Sequence, residues 1–233
     1  MSQSWWNWWN GNSSAKELDS SGKRCSIVLD MDECLIHLFE VSKSGYLRAI
    51  ENDPKTVSYR HHFFQVYADL EKKSEASYGI MRPGLVDFLE YCFENFEYVV
   101  LWSAGTDYYV EQVSDFIFSQ INQVPKEVLA RSRCKVVVDK KTKEKTFTKP
   151  LQHLPYVSLE RCFFVDDRED NGMFNVENHI LIPEFEPECT AASIKKSLTD
   201  RCLYDLIEWF ESPKVKNATD IRFLDKSKIF NKK

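Results

Sequence analysis

Glycine is scarce in this chain, with seven residues in 233, and a collagen-like repeat is excluded. No run of 18 apolar residues occurs, so no transmembrane segment is expected. The N-terminus has no basic stretch followed by an apolar one, so a signal peptide is not expected either. Without one, the sequons Asn12-Ser13-Ser14 and Asn217-Ala218-Thr219 carry little weight. Positive charge is in deficit. The net charge of −5 and pI of about 5.6 argue against sequence-blind binding of nucleic acid. The seven cysteines are odd in number and irregular in spacing, with no C-x-x-C pair, which supports neither a zinc site nor a disulfide framework. Reduced thiols are expected, and with them an intracellular location, nuclear or cytoplasmic.

What is present is an ordinary soluble composition, 43% hydrophobic and 29% charged, with length for one domain and tails. Tryptophan stands out. Four of the six, Trp5, Trp6, Trp8 and Trp9, fall within five residues. They sit in a polar segment, 1–23, that reads as a flexible tail, with a folded domain over 24–226 and a second tail over 227–233.

Short apolar runs alternate with helical patterns. Ser26–Leu29, 97–102, 134–138, 161–165 and 179–182 read as strands. Helices are expected after Arg82-Pro83-Gly84, from a Thr106 cap to about Asn122, and over 198–210. The fold class is α/β, a mainly parallel sheet covered on both faces. Residues 36–80 read as a small β insertion, with Tyr59–Leu70 as one or two strands that carry His61 and His62. The charged run 140–145 reads as a hairpin turn.

In such sheets chemistry lies beyond the carboxyl ends of the strands. Asp30-Met31-Asp32-Glu33-Cys34 follows the first strand, Ser103-Ala104-Gly105 the second and Asp166-Asp167 the fourth, and Lys149 follows the hairpin. Two carboxylate pairs, a hydroxyl and an ammonium thus converge on one sheet edge. Clustered carboxylates suit a hard divalent cation, Mg²⁺ with phosphate substrates. A carboxylate can act as the nucleophile of phosphoryl transfer, a second acid two residues on as general acid and base, and a lysine as a point charge on the phosphate.

Asp30-Met31-Asp32-Glu33-Cys34-Leu35 resembles the D-x-D-x-T-L signature of the haloacid dehalogenase superfamily. Within it, Arg82-Pro83-Gly84, Val99–Ala104, Lys149-Pro150-Leu151, Val165-Asp166-Asp167 and Asp220-Ile221-Arg222 are similar to the blocks of the RNA polymerase II C-terminal-domain phosphatases and NLI-interacting-factor-like small phosphatases. The resemblance implies a Rossmann-like fold without a large cap, and a Mg²⁺-dependent protein serine/threonine phosphatase with an aspartyl-phosphate intermediate. It makes Asp30 the nucleophile and a metal ligand. Asp32 becomes the general acid/base, with its carbonyl on the metal. Ser103 and Ala104 bind phosphate with Lys149, Asp166 and Asp167 hold Mg²⁺, and Cys34 stands at the loop threonine beside the substrate site. A shallow, uncapped site implies a phosphoserine or phosphothreonine protein as substrate.

The chain departs from the pattern at Cys34, at Asp167 in place of asparagine, and at Gly105 in place of a frequent serine. Two alternatives stand beside the enzyme: an inactive phosphatase fold that binds partners through its tryptophans, and a nucleic-acid 3′-phosphatase, which the acidic charge disfavours. Trp5, Trp6, Trp8 and Trp9 lie outside the catalytic pattern and read as a docking peptide for a protein partner. The oligomeric state is left open.

Overall fold

The computed structural model describes residues 25–67, 76–138 and 140–230. The tryptophan cluster and the whole of the expected N-terminal tail, 1–23, lie outside them. Strand β1 is Ser26–Leu29, β2 Ile36–Phe39, β3 Phe63–Val66, β4 Ser77–Met81, β5 Tyr98–Trp102, β6 Glu127–Leu129, β7 Lys135–Val138, β8 Lys145–Thr148, β9 Cys162–Asp166 and β10 His179–Leu181. The helices are α1 Lys43–Tyr46, α2 Leu85–Asn95, α3 Asp107–Ser119, α4 Ala191–Ser197, α5 Cys202–Phe210 and α6 Pro213–Lys216.

The main sheet is parallel, in the order β10-β9-β1-β5-β6. Its central strand is buried throughout, as an all-apolar run in a parallel sheet requires. Side chains alternate between two cores. Ile27 and Leu29 join Val99, Leu101, Phe163 and Val165 against α2, α3 and α5. Val28 joins Val100, Trp102, Cys162 and Phe164 against Leu151 and Leu154. The second face is covered at these residues by short 3-10 turns, Leu151–His153 and Leu159–Arg161.

The chain runs from β1 to β5 and β6 on one side, then returns to β9 and β10 on the other. The switch point is at β1, where such sheets open a ligand crevice beyond the strand ends.

Several expected elements are corrected. The run 134–138 is a strand but belongs with β8 to a separate hairpin, and the fifth strand of the main sheet is β6. The insertion is only partly β. Its three strands, β2-β4-β3, are joined by α1, a π-turn over Leu47–Glu51 and a 3-10 helix over Pro54–His62. Tyr59, His61 and His62 are thus helical, and the two histidine rings lie 4.1 Å apart. The closing helix, expected from residue 198, begins only at Cys202 as α5, and the unexpected helix α4 precedes it. Packing extends past residue 226, because Ile229 is buried in the main core.

The aromatics of the insertion largely serve its own core. Tyr46 stacks on Tyr78 at 4.1 Å, Tyr59 is buried, and Phe64 stacks on Phe116 of α3 at 4.5 Å. That last contact ties the insertion to the main domain. All seven cysteines are unbridged, and no described helix is long and apolar enough to cross a membrane.

Candidate active site

Sheet register brings the predicted residues together. Leu29 pairs with Leu101 on one side and Val165 on the other, so Asp30 and Asp166 emerge at one level and Ser103 one residue beyond it. Backbone bonds fix them there: Asp30 N to Val165 O at 2.9 Å, Ser103 N to Leu129 O at 2.9 Å, and Ile182 N to Asp166 O at 3.1 Å. Lys149 arrives from the loop after β8, its amide bonded to Asn171 O at 3.0 Å.

Lys149 is fully buried between two carboxylates. Its ammonium donates to Asp30 Oδ1 and, at 2.6 Å, to Asp166 Oδ2. Burial alone would lower its pKa, but Asp166 and Asp30 outweigh that and hold it above the ordinary lysine value. Asp30 is pushed well up, first by burial and then by Asp166, against the pull of Lys149. Asp167, half-buried, is pushed up to about 6 by burial and by Asp166.

Oxygens of Asp30, Asp166 and Asp167 lie within 4.8 Å of one another. Three carboxylates around one ammonium leave negative charge in excess, and the donors are all hard oxygens. That set fits a divalent cation such as Mg²⁺. The carboxylate of Asp32 is not part of it.

Asp32 faces the other way. Ser103 Oγ donates to its Oδ2 at 2.9 Å, and the Tyr109 hydroxyl donates to its Oδ1. Burial raises its pKa, while the Tyr109 and Ser103 hydrogen bonds partly offset the rise. Ser103 in turn accepts the Gly105 amide at 2.9 Å, which closes the 103–105 loop. Ala104, partly buried, offers its carbonyl to Arg131 Nε at 2.6 Å.

One predicted contact is corrected. Cys34 is fully buried, and its side chain joins the main apolar core, so the thiol does not reach a substrate. Burial pushes that thiol well above the ordinary range, away from the thiolate a nucleophile needs. Its carbonyl has a structural task, accepting from Arg82 Nη1 at 3.0 Å. Arg82, also fully buried, pairs with Asp200 at 2.9 Å and donates to Pro183 O at 2.7 Å. It therefore staples the exit of the first acidic loop to two distant segments.

Residues 25–222, through all of these strand ends, match the NLI interacting factor-like phosphatase family. The chain belongs to that family. The family whose model it matches is described as one of phosphatases. No curated protein is matched by sequence. Among solved structures the NLI interacting factor-like fold is shared with a fission yeast RNA polymerase II CTD phosphatase, an Fcp1 variant bound to beryllium fluoride. That match has 19% identity and a TM-score of 0.54, covering 80% of this chain and 51% of that one. A second Fcp1 structure, described as an essential RNA polymerase II CTD phosphatase, matches at 20% identity and TM-score 0.52, covering 87% and 59%. The chain thus spans between half and three-fifths of those two relatives, and the likeness is one of fold.

Two residues of this phosphatase site escaped the sequence reading. Tyr109 sits among apolar residues at helical spacing and reads as core. Asn171 donates to both Asp166 oxygens, at 2.9 and 3.0 Å, and so orients a candidate metal ligand. Its only signal was its place in the polar loop after Asp166-Asp167. His37 is buried on β2, and its Nδ1 is hydrogen-bonded with Glu33 Oε1 at 3.1 Å.

Proposed function

We propose that this phosphatase is Mg²⁺-dependent, works through a phospho-Asp30 intermediate, and removes phosphate from serine or threonine of protein substrates. The observation that carries the reading is the division of labour between the two acids of the first loop. Asp30 turns to Lys149 and the acidic cluster, and Asp32 turns to Ser103 and Tyr109.

Asp30, Asp166 and Asp167 would hold the cation, with the Asp32 carbonyl as a further ligand. Bound there, Mg²⁺ neutralises phosphate oxygens and aligns them for in-line displacement. Lys149 occupies Asp30 Oδ1 and fixes the rotamer of the nucleophile. Asp30 attacks phosphorus as the ester P–O bond breaks, and Asp32 gives its proton to the leaving oxygen. The raised pKa of Asp32 suits that acid role. In the second half Asp32 takes a proton from water, which displaces Asp30 and releases inorganic phosphate. Ser103 orients Asp32 throughout.

The protein-substrate reading rests on the modest insertion, a three-stranded sheet stacked on α3 with no separate cap domain among the described residues, and on the RNA polymerase II CTD named for the two Fcp1 structures. The test is hydrolysis of a phosphoserine peptide panel with Mg²⁺. Activity is expected to vanish with EDTA and to fall by about 10³-fold or more in Asp30→Asn. Turnover that survives both changes would overturn the mechanism.

A further inference from the structure

Gly105 closes the Ser103-Ala104-Gly105 loop that follows β5. Its φ is ordinary, so glycine is not required there by backbone conformation. It is required by space. A Cβ at residue 105 would lie 2.5 Å from Tyr109 Cδ1, 2.9 Å from Cε1 and 3.1 Å from Ser103 Oγ. The Tyr109 ring fills the volume that a side chain would take, and its hydroxyl reaches Asp32 Oδ1. The same glycine donates its amide to Ser103 Oγ, the second donor on Asp32. Below, α3 is anchored by Val110, Val113 and Ile117 in the main core, so the ring is delivered from a fixed element.

We propose that Tyr109, seated in the slot left open at Gly105, is a positioning residue that fixes the Asp32 carboxyl for proton transfer to the leaving group. The inference rests on the reading of Asp32 as general acid and base. In the first half-reaction the Asp30–phosphorus bond forms, the ester P–O bond breaks, and the Asp32 proton passes to the departing oxygen. With both Asp32 oxygens held by donors from separate elements, the carboxyl keeps one orientation relative to Asp30. Without Tyr109 it turns about a single hydrogen bond from Ser103. The cost falls on leaving groups that need the proton, and much less on those that depart unaided.

The test compares phenyl phosphate with para-nitrophenyl phosphate, two substrates of similar size and different leaving-group basicity. The readout is the ratio of their kcat/KM values in one preparation with Mg²⁺. The ratio cancels any difference in the folded fraction. Tyr109→Phe and Gly105→Ser are each expected to lower the phenyl to para-nitrophenyl ratio by about tenfold or more, as does Asp32→Asn. The double variant is expected to lose no more than the worse single variant, because both changes act through one contact. If Asp32→Asn lowers the ratio but Tyr109→Phe slows both substrates equally, the positioning role is overturned and the phosphatase mechanism stands. If Asp32→Asn leaves the ratio intact, the assignment of Asp32 fails and the inference fails with it.

Discussion

Lys149 shows at the scale of one residue how the chemistry is paid for in stability. A fully buried ammonium between Asp30 and Asp166 satisfies two carboxylates that otherwise repel. Removing one partner of a buried ion cluster typically costs about 3–5 kcal/mol, and Lys149→Met is expected to lose that much in EDTA by urea denaturation. Added Mg²⁺ is expected to recover part of the loss, since it supplies the missing positive charge. Arg82 tests the same principle without catalysis. It holds Asp200, Cys34 O and Pro183 O, so Arg82→Met is expected to be destabilised by about 3–5 kcal/mol. The residue scale is also where the sequence was most legible. Asp30, Ser103 and Asp166 come together because neighbouring strand ends in the parallel sheet lie side by side, Asp32 follows in the loop after β1, and Lys149 is brought in from the β7-β8 hairpin. Tyr109 was not legible, since an aromatic at helical spacing near the start of an apolar helix looks the same whether its hydroxyl meets water or a carboxylate. Cys34 was misjudged because its place in the motif says nothing of which way the side chain turns.

At the scale of elements, the insertion is coupled to α3 through one aromatic stack. Gly79 of β4 makes it possible. A Cβ there would lie 2.4 Å from Phe64 Cζ and 2.9 Å from His37 O. Gly79→Ala is expected to push Phe64 off Phe116 and to cost about 1–3 kcal/mol, the usual range for overpacking, by thermal or urea unfolding. The elements that resisted prediction have local causes. Asp53-Pro54 is a cap followed by a first-turn proline, and the Asp53 carboxylate accepts the Lys55 amide at 2.9 Å. The aromatics beyond it argued for a strand, but the cap and tertiary packing prevailed through His62. The closing helix starts only at Cys202 because Asp200 is drawn to Arg82 while it accepts the Cys202 amide at 3.0 Å. Strand β6 is three residues at a sheet edge, too short for its pattern to show.

At the scale of the molecule, the acidic cluster couples metal, pH and fold. Asp30 and Asp167 have folded-state pKa values above their unfolded ones. Such carboxyls bind protons more readily in the folded protein, so their protonation favours the fold at low pH. That favour is lost as pH rises through the folded value, about 6 for Asp167. In EDTA the melting temperature is therefore expected to decline as pH rises from about 5 to 7, and saturating Mg²⁺ is expected to remove most of the decline. A melting temperature that falls equally with and without Mg²⁺ would place the cluster outside the metal site. Fold class and the direction of the chemistry were legible at this scale because apolar runs and acidic strand ends recur in a fixed order. The turns over 151–161 were not, since they carry no periodicity.

The central claim is a covalent bond between phosphorus and Asp30. It is tested by acid-quenching the Asp32→Asn variant during turnover of para-nitrophenyl phosphate with Mg²⁺, a substrate whose leaving group departs without the Asp32 proton, then reducing with borohydride and mapping the modified residue by mass spectrometry. Loss of the general base slows hydrolysis of the intermediate, so the label is expected at Asp30, absent when Asp30→Asn is added. Continued turnover with no label at Asp30, or with the label on another residue, would contradict it.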